Sequence, residues 1–131
     1  MTVSKAAELM LGKAAQDEFV FDQLRINEET PQEALGFHAQ QAVEKLLKAL
    51  LAAAGIEYPL THQLAELMDL VRDSEIDLPE DFEELRYLTP FAIEFRYDIY
   101  PQESEARVDW DRVRQEIRRL RSWIETWIQK R

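Results

Sequence analysis

The sequence predicts an all-α fold, an up-and-down antiparallel bundle of four to five helices forming one domain over residues 1–131. Three observations lead there. Apolar residues recur at spacings of three and four along several long stretches, and no stretch alternates over a strand's length. Only 3 Gly and 5 Pro are present, which leaves little material for hairpins or glycine-rich phosphate loops. A hydrophobic fraction of 46%, with 13 aromatics, is enough to fill one core at this length.

Each element follows from its own signal. Over residues 4–25, Ala7, Met10, Ala14, Phe21 and Leu24 form one helical stripe. Asn27–Pro31 breaks the pattern, and Thr30-Pro31 suits an N-cap followed by proline at the first helical position. A second long helix, about 32–54, carries the line Leu35, Ala39, Ala42, Leu46, Ala49 and Ala53, widened by Val43, Leu47 and Leu50. That breadth makes it central; it pairs with the first helix as an αα-hairpin, and Gly55 supplies a left-handed C-cap. Thr61 is expected to cap a third helix, 62–73, with Leu64, Leu67, Met68 and Val71 inward. Pro79, Glu80 and Asp81 open a fourth, since acids favour the positive end of the helix dipole. Thr89-Pro90 should kink or split it near Leu88. Its pattern resumes through Phe91, Phe95 and Ile99, and a polar connector follows from Pro101 to Arg107. The last helix, about 109–130, has the seam Trp110, Val113, Ile117, Leu120, Ile124 and Trp127, with Trp123 and Ile128 outside it. These two residues and the broad apolar face of the second helix are expected to drive self-association.

Composition then limits function. Without cysteine there is no disulfide scaffold, thiolate nucleophile or cysteine-ligated zinc, and the usage fits a reducing compartment. No apolar run reaches the roughly 18 residues of a membrane span. Met1 to Leu11 lacks a signal peptide's charged-then-apolar layout, so the cytoplasm is the expected location. The net charge of −10, from 26 acids against 16 bases, opposes a free-standing nucleic-acid binder, because phosphate binding needs a positive field. The charge is uneven: residues 107–131 hold eight bases and four acids, giving +4, so residues 1–106 carry −14. A basic helix on an acidic body suits intrachain pairing or a protein partner.

Three groups of residues stand out chemically. Asp17 interrupts the first apolar stripe; it is either an inward carboxylate with a cationic partner or an edge residue reaching water. His38, Gln41, Lys45 and Lys48 form a polar stripe flanking the second helix's apolar line. Lys48 reads as solvated, and His38 borders the core, where a hydrogen bond across the bundle is its simplest role. His62, placed in the first turn of the third helix, would be disfavoured there as a cation. The third group, Arg96-Tyr97-Asp98-Ile99-Tyr100-Pro101, combines a planar cationic fork with stacking faces. Arg96 has a structural alternative as the partner of an inward acid such as Asp17. The histidines are 24 positions apart and show no metal-ligand spacing, so no metal and no cofactor are expected. No GxxxxGK[ST], GxGxxG or GxSxG motif occurs.

Three segments make the sequence resemble the HEPN domain family. Phe37 to Leu51 (FHAQQAVEKLLKALL) is very similar to the family's central helix. Thr61-His62-Gln63-Leu64 with Leu67 matches the opening of its third helix, and Phe95-Arg96-Tyr97 its arginine element. Asp17 falls where such proteins often place an Asp in helix one, and the likeness covers about residues 14–100.

The resemblance implies an antiparallel bundle that often dimerises, commonly encoded in prokaryotes beside a small nucleotidyltransferase in toxin–antitoxin-like pairs. Some members are metal-independent ribonucleases using an Arg-x4–6-His motif at a dimer cleft. Here that gap from Arg96 falls on Pro101 to Glu103, and no histidine follows His62. The first reading is therefore a non-nucleolytic module that dimerises and binds a nucleotide or a nucleotidyltransferase partner. A ribonuclease toxin using Arg96 with His38 or His62 is the alternative, and nucleic acid is a partner only in that case. A purely structural homodimer is the third. Helix levels bring Asp17 opposite Gln41 and Lys45. Asp17, His38, Gln41, Lys45, His62 and Arg96 are expected to converge in one polar cleft, with Tyr97, Asp98 and Tyr100 nearby.

Overall fold

The computed structural model describes residues 4–92 and 108–131. It contains α1 (Lys5–Arg25), α2 (Gln32–Ala53), α3 (Leu64–Asp73), a 3-10 segment (Glu80–Ala92) and α4 (Trp110–Gln129), with no strand among the described residues. The all-α expectation holds. α1 and α2 form the long hairpin, and α2 is the hub that also packs on α3, the 3-10 segment and α4. None of these helices is long and apolar enough to cross a membrane.

The helix ends explain where the chain turns. Ser4 caps α1, its Oγ accepting from the Ala7 amide at 2.9 Å. Thr30 does not cap α2 as expected. Its hydroxyl donates to the Leu24 carbonyl at 2.7 Å, an oxygen at the end of α1 that also accepts from Asn27 N–H at 3.3 Å, and Pro31 itself takes the cap position. α2 ends as predicted at Gly55, φ 74°, with Ile56 N–H donating to Leu51 O and Gly55 N–H to Ala52 O. α3 closes with the same bond pattern, but there the left-handed residue is Glu75, φ 66°.

Two predicted elements need correction. α3 starts at Leu64 rather than 62, because Thr61 caps no helix; its Oγ1 accepts from Gln63 N–H at 3.1 Å and donates to Glu66. The Leu64 amide is instead satisfied by Thr89 Oγ1, at 3.1 Å, from the 3-10 segment. His62 therefore lies before the helix, and its dipole argument lapses. The expected fourth α-helix is a 3-10 helix. Its apolar residues Phe82, Leu85, Leu88 and Phe91 are spaced by three, which aligns them on one face at three residues per turn, and Pro90 lacks the amide an α-helix would use.

The core confirms the predicted faces with small shifts. Leu35, Ala39, Ala42, Leu46 and Ala49 of α2 are buried, as are Leu64, Leu67, Met68 and Val71 of α3. On α4, Trp110, Ile117, Leu120 and Ile124 are buried; Ile128 joins them, while Val113 and Trp127 are half-buried. The breadth of α2 and Ile128 are thus consumed inside the chain, so they offer no surplus for self-association. An aromatic series, Phe21–Trp110–Phe91, ties α1, α4 and the 3-10 segment together at centroid distances of 6.0 and 5.8 Å. Phe91 packs so closely over Gly36 that a Cβ there would lie 2.1 Å from its ring.

Candidate functional site

The polar side of α2 carries two carboxylate-centred clusters. In the first, Asp17 of α1 points inward and is paired. One oxygen meets His38 Nδ1 at 3.0 Å and the other accepts from Lys45 Nζ at 2.5 Å. α1 and α2 run antiparallel from the turn at 26–31, which brings residues on either side of it to one level. This is the cationic partnership that an inward acid requires.

Glu44 anchors the second cluster, with only 5% of its side chain exposed. It accepts from His62 Nδ1 at 2.8 Å, Lys48 Nζ at 2.9 Å and Gln40 Nε2 at 3.1 Å. Gln40 Nε2 also donates to the His62 carbonyl at 2.9 Å, and Gln41 Nε2 donates to Gln40 Oε1 at 2.7 Å. Among the described residues no buried side-chain nitrogen or oxygen lacks a partner. Burial pushes the Glu44 carboxyl up, but the bonds from Lys48, His62 and Gln40 together outweigh it and hold the group below the usual carboxylate value.

The predicted single cleft therefore resolves into two neighbouring groups. Asp17, His38 and Lys45 meet on the α1 side; His62 and Gln41 join the Glu44 group on the side of the connection into α3. Lys48 is not solvated as expected. It is buried against Glu44, 5.6 Å from the Tyr58 ring centroid. Arg96, Tyr97, Asp98 and Tyr100 lie outside the described residues, as do the resumed helical stretch beyond Ala92 and the Pro101 to Arg107 connector. Gln40, Glu44 and Lys48 were missed as site residues. Their signal was present: Gln40 and Glu44 interrupt the row Gly36, Val43, Leu47, Leu51, and a polar residue inside an apolar row needs a partner.

The chemistry of both histidines follows from their bonds. An ionised Glu44 accepts, so Nδ1 of His62 carries the proton, and in neutral imidazole Nε2 is then the free acceptor. That ring is 61% exposed, and its Nε2 has no partner among the described residues. His38 is held in the same way by Asp17 but is more enclosed. Among the described residues no group of three His, Asp or Glu side chains could share a metal ion.

The model for the HEPN domain matches residues 22–127, most of the chain and all of α2, α3 and the 3-10 segment. This chain belongs to the HEPN family. Among curated proteins and among solved structures, no match was found. The HEPN span includes Glu44, His62 and Arg96, while Asp17 lies just before it.

Proposed function

We propose that this HEPN chain is a non-nucleolytic, self-associating binding module that takes a phosphate-bearing ligand, a nucleotide by class, at the polar face of α2 with Arg96. A nucleotidyltransferase is the protein partner this reading expects. The observation that carries it is His62: an exposed imidazole pinned at Nδ1 by a buried carboxylate. A Glu44–Lys48 pair would satisfy the buried charge without it. Fixing an exposed ring costs side-chain freedom, which a preorganised donor or acceptor for a ligand accounts for. Gln41, joined to His62 through Gln40, and Lys45 of the neighbouring Asp17 group, both half-buried, add donors of the kind that phosphate and base edges accept.

The same geometry favours one second reading. A carboxylate orienting Nδ1 of a histidine is how general bases are held, so His62 with Arg96 could serve metal-free RNA cleavage. The missing histidine after Arg96 and the −10 charge weigh against it. Calorimetric titration with ATP in EDTA, alongside incubation with an RNA oligonucleotide, separates the two. Saturable ATP binding that is lost in His62→Ala and Arg96→Ala, with intact RNA and little change in Tm, is the expected result. RNA cleavage that stops in either variant would establish the nuclease instead, and a large loss of Tm without ligand binding would leave a structural role.

A further inference from the structure

The side of α1 opposite the core is free of charge over its whole middle. Leu9, Gly12, Gln16, Phe19, Gln23 and Ile26 recur at spacings of 3, 4, 3, 4 and 3. Leu9 is 58%, Phe19 63% and Ile26 75% exposed, and a Cβ at Gly12 would meet nothing. In a chain that is 32% charged, an outward helix face without one Asp, Glu, Lys or Arg between residues 9 and 26 is unexpected. Buried Ala7, Ala14 and Phe21 line the other side, so among the described residues this stripe serves no intrachain packing.

We infer that this stripe is the surface through which two copies of the chain associate, with their α1 helices side by side and parallel. The inference rests on the self-association in the proposed function and names its face. The 3-4 spacing is that of a two-helix seam, with Leu9, Gln16 and Gln23 at one core position and Gly12, Phe19 and Ile26 at the other. A face that carries no charge lets two bodies of charge −10 meet without setting like-charged side chains against each other. The flanks decide direction. In parallel pairing Glu8 meets the second copy's Lys13, and Ala15 meets its Val20; antiparallel pairing instead brings Glu8 to the same flank as Asp22. Parallel pairing also sets Gln16 and Gln23 against their own copies, where amides bond reciprocally. The seam is about 27 Å long at 1.5 Å per residue, a small interface, so association in the micromolar range is expected.

Sedimentation velocity over a concentration series tests the face, and cysteine cross-linking tests the direction, since the chain has no cysteine of its own. The wild type is expected to dimerise, and Phe19→Glu, at an exposed position, to weaken the dimer at least tenfold without moving Tm. Gln23→Cys is expected to form a disulfide-linked dimer under mild oxidation, because parallel helices set residue 23 beside its own copy. A dimer unmoved by Phe19→Glu overturns this face while leaving self-association standing. A monomer at several hundred micromolar overturns both. A Phe19-dependent dimer that fails to cross-link at Gln23→Cys overturns the parallel arrangement.

Discussion

At the scale of single residues, Glu44 carries the most consequence. Its carboxylate holds Lys48 inside the bundle and His62 at its edge. Glu44→Gln would leave the buried Lys48 without a counter-charge, so urea unfolding at pH 7 should show a loss of about 3–5 kcal/mol. The same group sets a pH dependence. Its folded value lies below the unfolded 4.5, so the unfolded state binds the proton first as pH falls. The stability it contributes is complete above 4.5 and is lost as pH falls through the depressed folded value. Unfolding measured from pH 6 down to pH 3 should show that decline in the wild type, and a shallower one in Glu44→Gln.

At the scale of elements, two backbone positions give opposite expectations. Glu75 ends α3 in the left-handed region, where a non-glycine residue costs roughly 1–2 kcal/mol. Glu75→Gly relieves that strain but loosens the unfolded chain, so a net gain of up to about 1 kcal/mol is expected in thermal melts. Gly36→Ala should destabilise, because overpacking against the Phe91 ring costs about 1–3 kcal/mol and helix propensity returns only about 1 kcal/mol. Elements were also where the sequence was most and least legible. The core stripes of α2, α3 and α4 could be read from spacing, since burial imposes the helical period directly. The 3-10 segment was misread as an α-helix although Phe82, Leu85, Leu88 and Phe91 repeat by three. Caps failed at Thr30 and Thr61 because each hydroxyl bonds a neighbour, and α3 takes its cap from Thr89, 25 residues away. The site was half legible: Asp17 signalled its partner by breaking an apolar stripe, whereas Lys48 was indistinguishable from a surface lysine until Glu44 was recognised as buried.

At the scale of the whole molecule, the basic final helix serves first inside the chain. α1 and α4 have no close backbone approach and are joined by long arginine side chains. Arg114 and Arg121 both reach the buried Glu18, at 3.1 and 2.6 Å, and Arg121 also donates to the Leu11 carbonyl at 3.0 Å. Arg114 is held as well by a two-point bond to Asp22, which raises its pKa. Arg121→Met should therefore cost about 1–3 kcal/mol in urea unfolding by stranding buried acceptors. Arg119→Met, which breaks only an exposed pair with Asp81, should stay within about 1 kcal/mol of wild type. The proposed reading puts ligand binding on the polar face of α2, and the chain's two histidines make that testable in one sample. The imidazole Cε1–Hε1 NMR signals of His38 and His62, followed during ATP titration in EDTA, are the most direct measurement. A saturable shift of the His62 signal, larger than that of His38, is the predicted result; both signals unmoved at millimolar ATP would contradict the account.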